Sequence, residues 1–438
     1  AGAWSGGFLA YGGATKSMGP TPAGKMQFTT GRRPGWSIDG SWDDPRDPRE
    51  GPLPREIAKY RGVYLHGRRV IVSYTVGDCE VLEMPDATLF DGTAFFTRNF
   101  TLGPSKHNLS VLLSEETDTP DKSSVLRAFV TGGAKVKKKN GLLFLTIPAR
   151  AGHMNFRVTL ARGGNTVPAE KTIVHLGALT RGGPARWNKT LTTLGKRGED
   201  KDSYALDTLT APDDNPWGSW LRFSAVDFFA DGRAALTTWD GDVWIVSGID
   251  DKLGGLRWRR YATGLQMPLG IRVVKGKVYT VGRDQLTRLH DLNGDGEADY
   301  YENFNNDAGL TLQRHEFVMD LHTDAEGNFY YCRSGHYIKS QRGENCCVMK
   351  VSPDGSKLEV FARGFRETNG MSLGPDGRMT IGDNEGNGIP QTPIYELKKD
   401  GYYGFEPTMT PNGYKWVVDP ICWLPHDFDR SAGGQNWV

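Results

Sequence analysis

The second half of the chain carries an internal repeat, and no other feature restricts the possible folds as strongly. A tight turn followed by a short apolar run occurs four times between residues 220 and 407. The turn glycines, spaced by 44, 51 and 50 residues, are Gly232, Gly276, Gly327 and Gly377. This period is typical of a four-stranded propeller blade. The sequence therefore predicts a β-propeller over residues 215–438. Its inner strands are expected near residues 234–238, 277–281, 328–332 and 378–381.

The first half is predicted to be a separate β-rich domain over residues 1–190. The chain has 438 residues, which is more than one ordinary core contains. Its 56 glycines and many aromatic residues are typical of an all-β protein. A polar stretch over residues 191–214 reads as a linker. Four blades do not make a common closed propeller, so either the first half supplies further blades or the chain is a fragment.

Charge and hydropathy exclude several functional classes. The formal net charge is +1, which gives no reason to expect binding to nucleic acid or to an anionic membrane. No stretch approaches eighteen apolar residues, so no membrane span is expected. The first residue is not Met, which is consistent with a mature or trimmed product.

The five cysteines allow three interpretations. No Cys-x-x-Cys-His motif is present, so no c-type haem is expected on this chain. Cys332 and Cys346 could pair in an oxidising compartment. Cys346 and Cys347 could instead form a vicinal disulfide, or all the thiols could simply be buried.

Residues 291–302 match a twelve-residue calcium loop. Oxygen donors fall at positions 1, 3, 5, 9 and 12, and the backbone carbonyl of Glu297 falls at position 7. The side-chain donors are Asp291, Asn293, Asp295, Asp299 and Glu302. The flanking residues alternate as strands rather than as helices. The sequence therefore predicts a structural Ca²⁺ site on a β-structure, and the alternative is an Asp/Gly-rich turn without metal.

Polar clusters occupy several predicted loops of the propeller. They are Arg314-His315-Glu316, Arg333 with His336, Arg366 with Asn369, and Asp383-Asn384-Glu385, with His426 and Asp427 near the end of the chain. Histidine is the natural general base near neutral pH, and Arg and Asn donors suit a developing alkoxide. The alternatives are structural hydrogen bonding for the histidines, and a second cation site or a plain turn at residues 383–385.

The segment Met267-Pro-Leu-Gly-Ile-Arg-Val-Val-Lys-Gly-Lys-Val-Tyr-Thr-Val-Gly-Arg-Asp284, with the loop that follows it, resembles a known family. It is similar to large propeller proteins of Planctomycetes and Verrucomicrobia labelled membrane-bound dehydrogenases, which are distant relatives of the glucose/sorbosone dehydrogenases. The likeness runs from about residue 215 to the end. Trp4-Ser-Gly-Gly-Phe-Leu9, Gly51-Pro-Leu-Pro-Arg-Glu56 and Val72-Ser-Tyr-Thr-Val-Gly77 resemble the uncharacterised domain that often precedes such propellers.

The resemblance implies an oxidoreductase that acts on a sugar or polyol in the periplasm or outside the cell. In the glucose/sorbosone dehydrogenases, a His removes a hydroxyl proton while hydride passes to pyrroloquinoline quinone, and His315 matches that residue. The two glycines that usually follow are Glu316 and Phe317 here. A Gly-x-Arg-Asn segment holds the quinone, and its counterpart keeps Arg366 but has Glu367 in place of Asn. A c-type cytochrome is the implied electron acceptor.

These observations lead to one set of predicted site residues. His315 is the general base, Arg366 and Asn369 orient substrate or cofactor, and Asp383 and Glu385 support them. The residues predicted to contact a cofactor are Arg333, His336 and Arg366. Two other functions stay open: a non-catalytic propeller that binds carbohydrate or protein, and a polysaccharide lyase or hydrolase on a propeller scaffold.

Overall fold

The regular secondary structure of the described residues is almost entirely β-strand. The computed structural model describes residues 4–5, 21–22, 27–31, 33–47, 51–115, 125–163, 172–201, 203–309, 316–335, 344–384, 391–405 and 417–437. Within those ranges the helical structure is one 3₁₀ turn, Leu176–Thr180. The chain divides into two compact units, Ala1–Arg46 with Leu53–Arg181, and Asp47–Pro52 with Gly182–Val438. The predicted all-β class is confirmed.

The described residues of the first unit form twelve strands. They are β1 (Trp4–Ser5), β2 (Thr21–Pro22), β3 (Trp36–Ile38), β4 (Ala58–His66), β5 (Arg69–Val76), β6 (Cys79–Phe90), β7 (Thr93–Leu102), β8 (Leu109–Glu115), β9 (Leu126–Gly132), β10 (Lys135–Lys139), β11 (Leu142–Ile147) and β12 (Met154–Arg162). Antiparallel neighbours follow the orders β4-β5-β6-β7-β12-β9 and β10-β11-β8-β3. Phe100 stacks on Phe156 at 4.7 Å in the buried core between them.

Nineteen strands are formed by the described residues of the second unit. They are β13 (Leu191–Thr193), β14 (Gly195–Lys196), β15 (Thr208–Leu209), β16 (Phe223–Phe228), β17 (Ala234–Thr238), β18 (Val243–Ser247), β19 (Leu256–Ala262), β20 (Gly270–Val274), β21 (Lys277–Val281), β22 (Leu286–His290), β23 (Tyr300–Asn305), β24 (Val318–Thr323), β25 (Phe329–Arg333), β26 (Cys347–Val351), β27 (Leu358–Arg363), β28 (Met371–Leu373), β29 (Met379–Gly382), β30 (Gln391–Glu396) and β31 (Cys422–Pro425).

Strands β16 to β31 form four successive antiparallel sheets of the propeller type. The sheets are β16–β19, β20–β23, β24–β27 and β28–β31, each ordered as in the sequence. The first strand of each sheet contacts the first strand of the next, so β16, β20, β24 and β28 lie innermost. The predicted strands exist as β17, β21, β25 and β29, but they are second strands rather than inner ones. The repeated turn joins the first strand to the second, as at Gly232 with φ of 84°.

Residues 191–214 lie within the second unit rather than forming the predicted linker. Strand β13 pairs with β19 and adds a fifth strand to the first sheet. The indole Nε1 of Trp258 donates a hydrogen bond to Thr193 Oγ1 at 2.9 Å. Strands β14 and β15 pair with each other in the same stretch. Its polar composition hid these contacts, because a short added strand needs few apolar residues.

All five cysteines are free thiols, so neither predicted disulfide is present. Cys79, Cys332, Cys346 and Cys347 are fully buried, which agrees with the third interpretation for these four, whereas Cys422 is exposed. Burial raises the pKa of the Cys347 thiol to about 12, so it stays protonated at neutral pH.

Among the described residues, no helix is long and apolar enough to cross a membrane.

Candidate functional site

The topology brings several predicted polar clusters to one end of the four sheets. In an antiparallel four-stranded sheet, the start of the first strand, the connection between the second and third strands and the end of the fourth lie together. We call this the site end, and the opposite end, which holds the turns between first and second strands, the turn end. Arg366 and Asn369 lie between β27 and β28, and Asp383 follows β29. All three residues therefore lie at the site end.

Asp383 anchors the backbone around Arg366. Its Oδ2 accepts a hydrogen bond from Arg366 N at 2.7 Å, and its Oδ1 accepts from Glu367 N at 2.8 Å and Asn384 N at 2.9 Å. Burial raises the pKa of Asp383 to about 6, against the lowering effect of those three N–H donors. Asp383 thus holds the loop before β28 onto the end of β29.

The side chain of Arg366 lies in a group of hydrogen-bond donors and acceptors. Its Nη1 donates to Asn384 Oδ1 at 2.6 Å, and Asn384 Nδ2 donates to Glu367 Oε2 at 3.4 Å. The Nε of Arg366 is buried and has no hydrogen-bond partner among the described residues. Asn369 N donates to Gly382 O at 3.3 Å, which joins the same two sheet elements. A guanidinium, a carboxylate and an amide side by side can bind sugar hydroxyls.

Arg333, which the sequence predicted to contact a cofactor, forms a buried ion pair. Its side chain is 2% exposed and that of Glu316 is 1% exposed. Arg333 Nη2 donates to Glu316 Oε1 and to Gly309 O, and Nη1 lies 3.8 Å from Glu344 Oε2. Burial lowers the pKa of Arg333, but the attraction of Glu316 outweighs it and leaves the pKa raised. The Arg333 guanidinium is therefore bound to carboxylates of the protein itself.

The remaining predicted site residues are distributed unevenly. His315, His336 and Glu385 lie outside the described residues, so their roles stay predictions. His426 is half-buried and Asp427 is exposed, just after β31. Sequence reasoning missed the pairing of Glu316 with Arg333. The available signal was one carboxylate and one guanidinium, each placed at the end of an apolar strand.

The first half of the predicted calcium loop is folded by its own side chains. Asp291 accepts hydrogen bonds from Gly294 N at 2.7 Å and from Gly296 N at 2.8 Å. Asn293 Oδ1 accepts from Asp295 N at 3.1 Å. The loop connects the third and fourth strands of its sheet, β22 and β23, so it lies at the turn end. Any ion bound there is therefore at the end of the sheets opposite Arg366 and Asp383.

Two acidic residues in the second half of the loop bind the backbone of residues 183–187. Asp299 Oδ1 accepts from Gly183 N at 2.8 Å. The two oxygens of Glu297 accept from Arg186 N and Trp187 N, both at 2.6 Å. Glu297 is 4% exposed, so this is a buried carboxylate with both oxygens bonded. The sequence predicted only its backbone carbonyl as a functional group.

Glu302 does not join the other predicted calcium ligands. Its Oε2 lies 2.6 Å from both Arg288 Nε and His290 Nε2 across the β22–β23 pair. Burial raises the pKa of Glu302, but the hydrogen bonds from His290 and Arg288 outweigh it and lower the pKa. Among the described residues, no three His, Cys, Asp or Glu side chains are grouped as they would be around a metal ion. Asp291, Asn293 and Asp295 fit a cation as a partial set of donors, and Glu302 does not.

Comparison with known proteins gives a partial match for the first unit. A family model described as a domain of unknown function, DUF6797, matches residues 1–83. This agrees with the uncharacterised domain expected from the sequence. No curated protein matches the chain.

Comparison with solved structures finds sugar dehydrogenase propellers at low identity. An oxidoreductase described as a glucose dehydrogenase from Thermus thermophilus is 17% identical, with a TM-score of 0.37, over 47% of this chain and 71% of that one. The quinone domain of pyranose dehydrogenase from Coprinopsis cinerea is 12% identical, with a TM-score of 0.37, over 47% of this chain and 60% of that domain. Aldose sugar dehydrogenase from Streptomyces coelicolor is 12% identical, with a TM-score of 0.36, over 56% of this chain and 75% of that one. These TM-scores are below 0.5, so the fold description depends on the sheets themselves.

Proposed function

We propose that the second unit is a sugar- or polyol-directed oxidoreductase module with its reaction site at the site end of the sheets. The observation that carries the proposal is the group built on Asp383. This buried carboxylate fixes Arg366 and Asn384 beside Glu367 from two separate loops. The resemblance of the segments around His315 and Arg366 to the glucose/sorbosone dehydrogenases supports the same assignment.

In this proposal each residue has a distinct task. His315 accepts the proton of the substrate hydroxyl as the neighbouring carbon is oxidised. Arg366 and Asn369 orient the substrate, and Asp383 holds their loop in place. Pyrroloquinoline quinone, when bound, would supply the hydride acceptor. Arg366 fits one of its carboxylates, because the guanidinium is positive and its Nε has no described partner. Electrons would then pass to a c-type cytochrome in the periplasm or outside the cell.

The test is a sugar oxidation assay with the full chain. We expect turnover of at least one sugar or polyol when quinone, Ca²⁺ and an artificial electron acceptor are supplied, measured as acceptor reduction. The matched control omits only the quinone and should show no reduction. Binding without turnover across a broad panel would contradict the proposal and support a binding propeller. Ultraviolet absorbance from unsaturated uronate products would instead support a polysaccharide lyase.

We also propose that Ca²⁺ binds the loop through Asp291, Asn293 and Asp295 without Glu302. Binding to the native state alone stabilises it by RT ln(1 + [L]/Kd), so a chelator should lower the melting temperature. Asp295→Ala should have a low melting temperature that the chelator no longer changes.

Glu302→Gln is the matched control for the calcium prediction. It removes the carboxylate from Arg288 and His290 and should leave the chelator effect intact, because Glu302 lies outside the proposed donor set. If Glu302→Gln abolishes the chelator effect, the full twelve-residue arrangement forms in solution and the reduced set is wrong. If wild-type protein neither contains calcium nor responds to chelator, the loop is a plain turn.

A further inference from the structure

A cavity lies along the inner strands of the propeller unit, and its lining residues differ from those of the Asp383 group. Its volume is about 510 Å³. Three consecutive inner strands contribute to its wall through Arg272 on β20, His322 on β24 and Ser372 on β28. Asn436 and Trp437 from the end of the chain complete it. These residues stand near the turn end of the strands, and the sugar oxidation proposed above uses none of them.

The repeat places these side chains at one equivalent position. Asp227, His322 and Ser372 each precede their turn glycine by five residues, and Arg272 precedes Gly276 by four in a turn that is one residue shorter. Each blade therefore presents the same inner-strand position toward the centre. An acid, a base, an imidazole and a hydroxyl occupy these four positions, although an apolar residue would pack there more simply.

The cavity wall is polar but carries little net charge. Arg272 Nη1 donates to Asp227 Oδ1 at 3.2 Å, and Asp227 Oδ2 accepts from Val273 N at 2.7 Å. Burial and, to a smaller extent, the positive charge of Arg272 lower the pKa of His322 to about 4, so the imidazole is neutral at pH 7. The wall therefore offers hydrogen bonds without an unbalanced charge. That property favours a neutral polar ligand over an ion.

The indole of Trp437 forms a flat apolar surface beside these polar groups. Trp437 is 38% exposed, and its ring lies directly over Gly374, where an added Cβ would be 2.8 Å from the ring carbon Cε2. Gln435 fixes the segment, because its Oε1 accepts from Thr380 Oγ1 at 2.6 Å and its Nε2 donates to Gly370 O at 3.0 Å. An ordered, partly exposed indole can pack against the C–H face of a sugar ring while neighbouring groups bond its hydroxyls.

We propose that this cavity is a binding site for a neutral mono- or disaccharide, separate from the reaction site near Arg366. This proposal goes beyond the proposed sugar oxidation, because binding in the cavity requires neither the quinone nor His315. Its lining residues do not include Arg366, Asn369 or Asp383.

Isothermal titration calorimetry of the full chain, without quinone, tests the proposal. The probes are glucose, galactose, xylose and cellobiose, with glucuronate as the charged comparison. We expect at least one neutral sugar to bind, and Trp437→Ala to weaken it about tenfold or more through loss of ring packing. Gly374→Ala should have the same effect, because its new Cβ displaces the indole.

A control variant makes the result specific. Trp220→Ala removes another exposed indole, which lies 4.0 Å from the Arg222 guanidinium, and should leave the affinity unchanged. The proposal is overturned if no neutral sugar binds, if Trp220→Ala weakens binding as much as Trp437→Ala, or if glucuronate binds more tightly than every neutral sugar. Thermal unfolding curves show whether each variant is folded.

Discussion

Arg333→Met is expected to lower the free energy of unfolding by about 3–5 kcal/mol, the cost typical of removing one partner of a buried ion pair. The Glu316 carboxylate is 1% exposed, and the guanidinium of Arg283 is more distant from it than that of Arg333, at 3.9 Å. Water cannot compensate for the lost guanidinium at such a site. Denaturant unfolding followed by tryptophan fluorescence measures the change.

Two further variants distinguish a loss of stability caused by an unpaired buried charge from one caused by lost side-chain packing. The double variant Arg333→Met with Glu316→Gln should lose less stability than the sum of the single changes, because it removes both charges of the buried pair together. Arg233→Met breaks the exposed pair with Asp231 and should change stability little. Equal losses for Arg333→Met and Arg233→Met would show that the Arg333–Glu316 pair is not buried in solution.

His315→Ala is expected to reduce sugar turnover by about 10²–10⁴, the usual contribution of a positioned general base. The rate falls because the substrate hydroxyl then has no group to take its proton. Steady-state rates with quinone and an artificial acceptor measure the change. The melting temperature and the calcium content should stay at wild-type values, since the calcium loop lies at the turn end.

His107→Ala is the matched histidine control. His107 is exposed in the first unit and pairs with Asp39 at 2.7 Å, so its removal should leave turnover unchanged. If His315→Ala retains full activity in an assay that the wild type passes, the assignment of the base is wrong. If both variants lose activity together with thermal stability, the loss reports unfolding rather than chemistry.

The repeat could be predicted from the sequence because its information is local. Each unit begins with a tight turn whose glycine adopts positive φ, and an alternating apolar strand follows within a few residues. Strands β17, β21, β25 and β29 therefore appeared where the sequence predicted them. The turn-forming residues of the loop from Asp291 are equally local, since their side chains bond backbone groups two to five positions away.

Contacts between residues far apart in the chain were decided only by the tertiary structure. No local pattern shows that β16 rather than β17 lies innermost, because that depends on how neighbouring sheets pack. Glu302 fits the calcium template by spacing, yet the strand register places it opposite Arg288. Arg333 reads as a free cation until Glu316, seventeen positions earlier, is brought against it.

For the inner-strand cavity, too, part of the information is local in the sequence and part depends on the tertiary structure. The repeat places Asp227, Arg272, His322 and Ser372 at equivalent positions, and an alignment of the turn glycines shows this from the sequence alone. Only the packing of successive sheets brings Arg272, His322 and Ser372 together around one cavity, and only the path of the last residues lays Trp437 over Gly374. The conformation of a turn is determined by residues that are close together in the sequence, because its hydrogen bonds join groups only a few positions apart. Burial, charge pairing and cavities depend on distances that the chain sets only once it has folded.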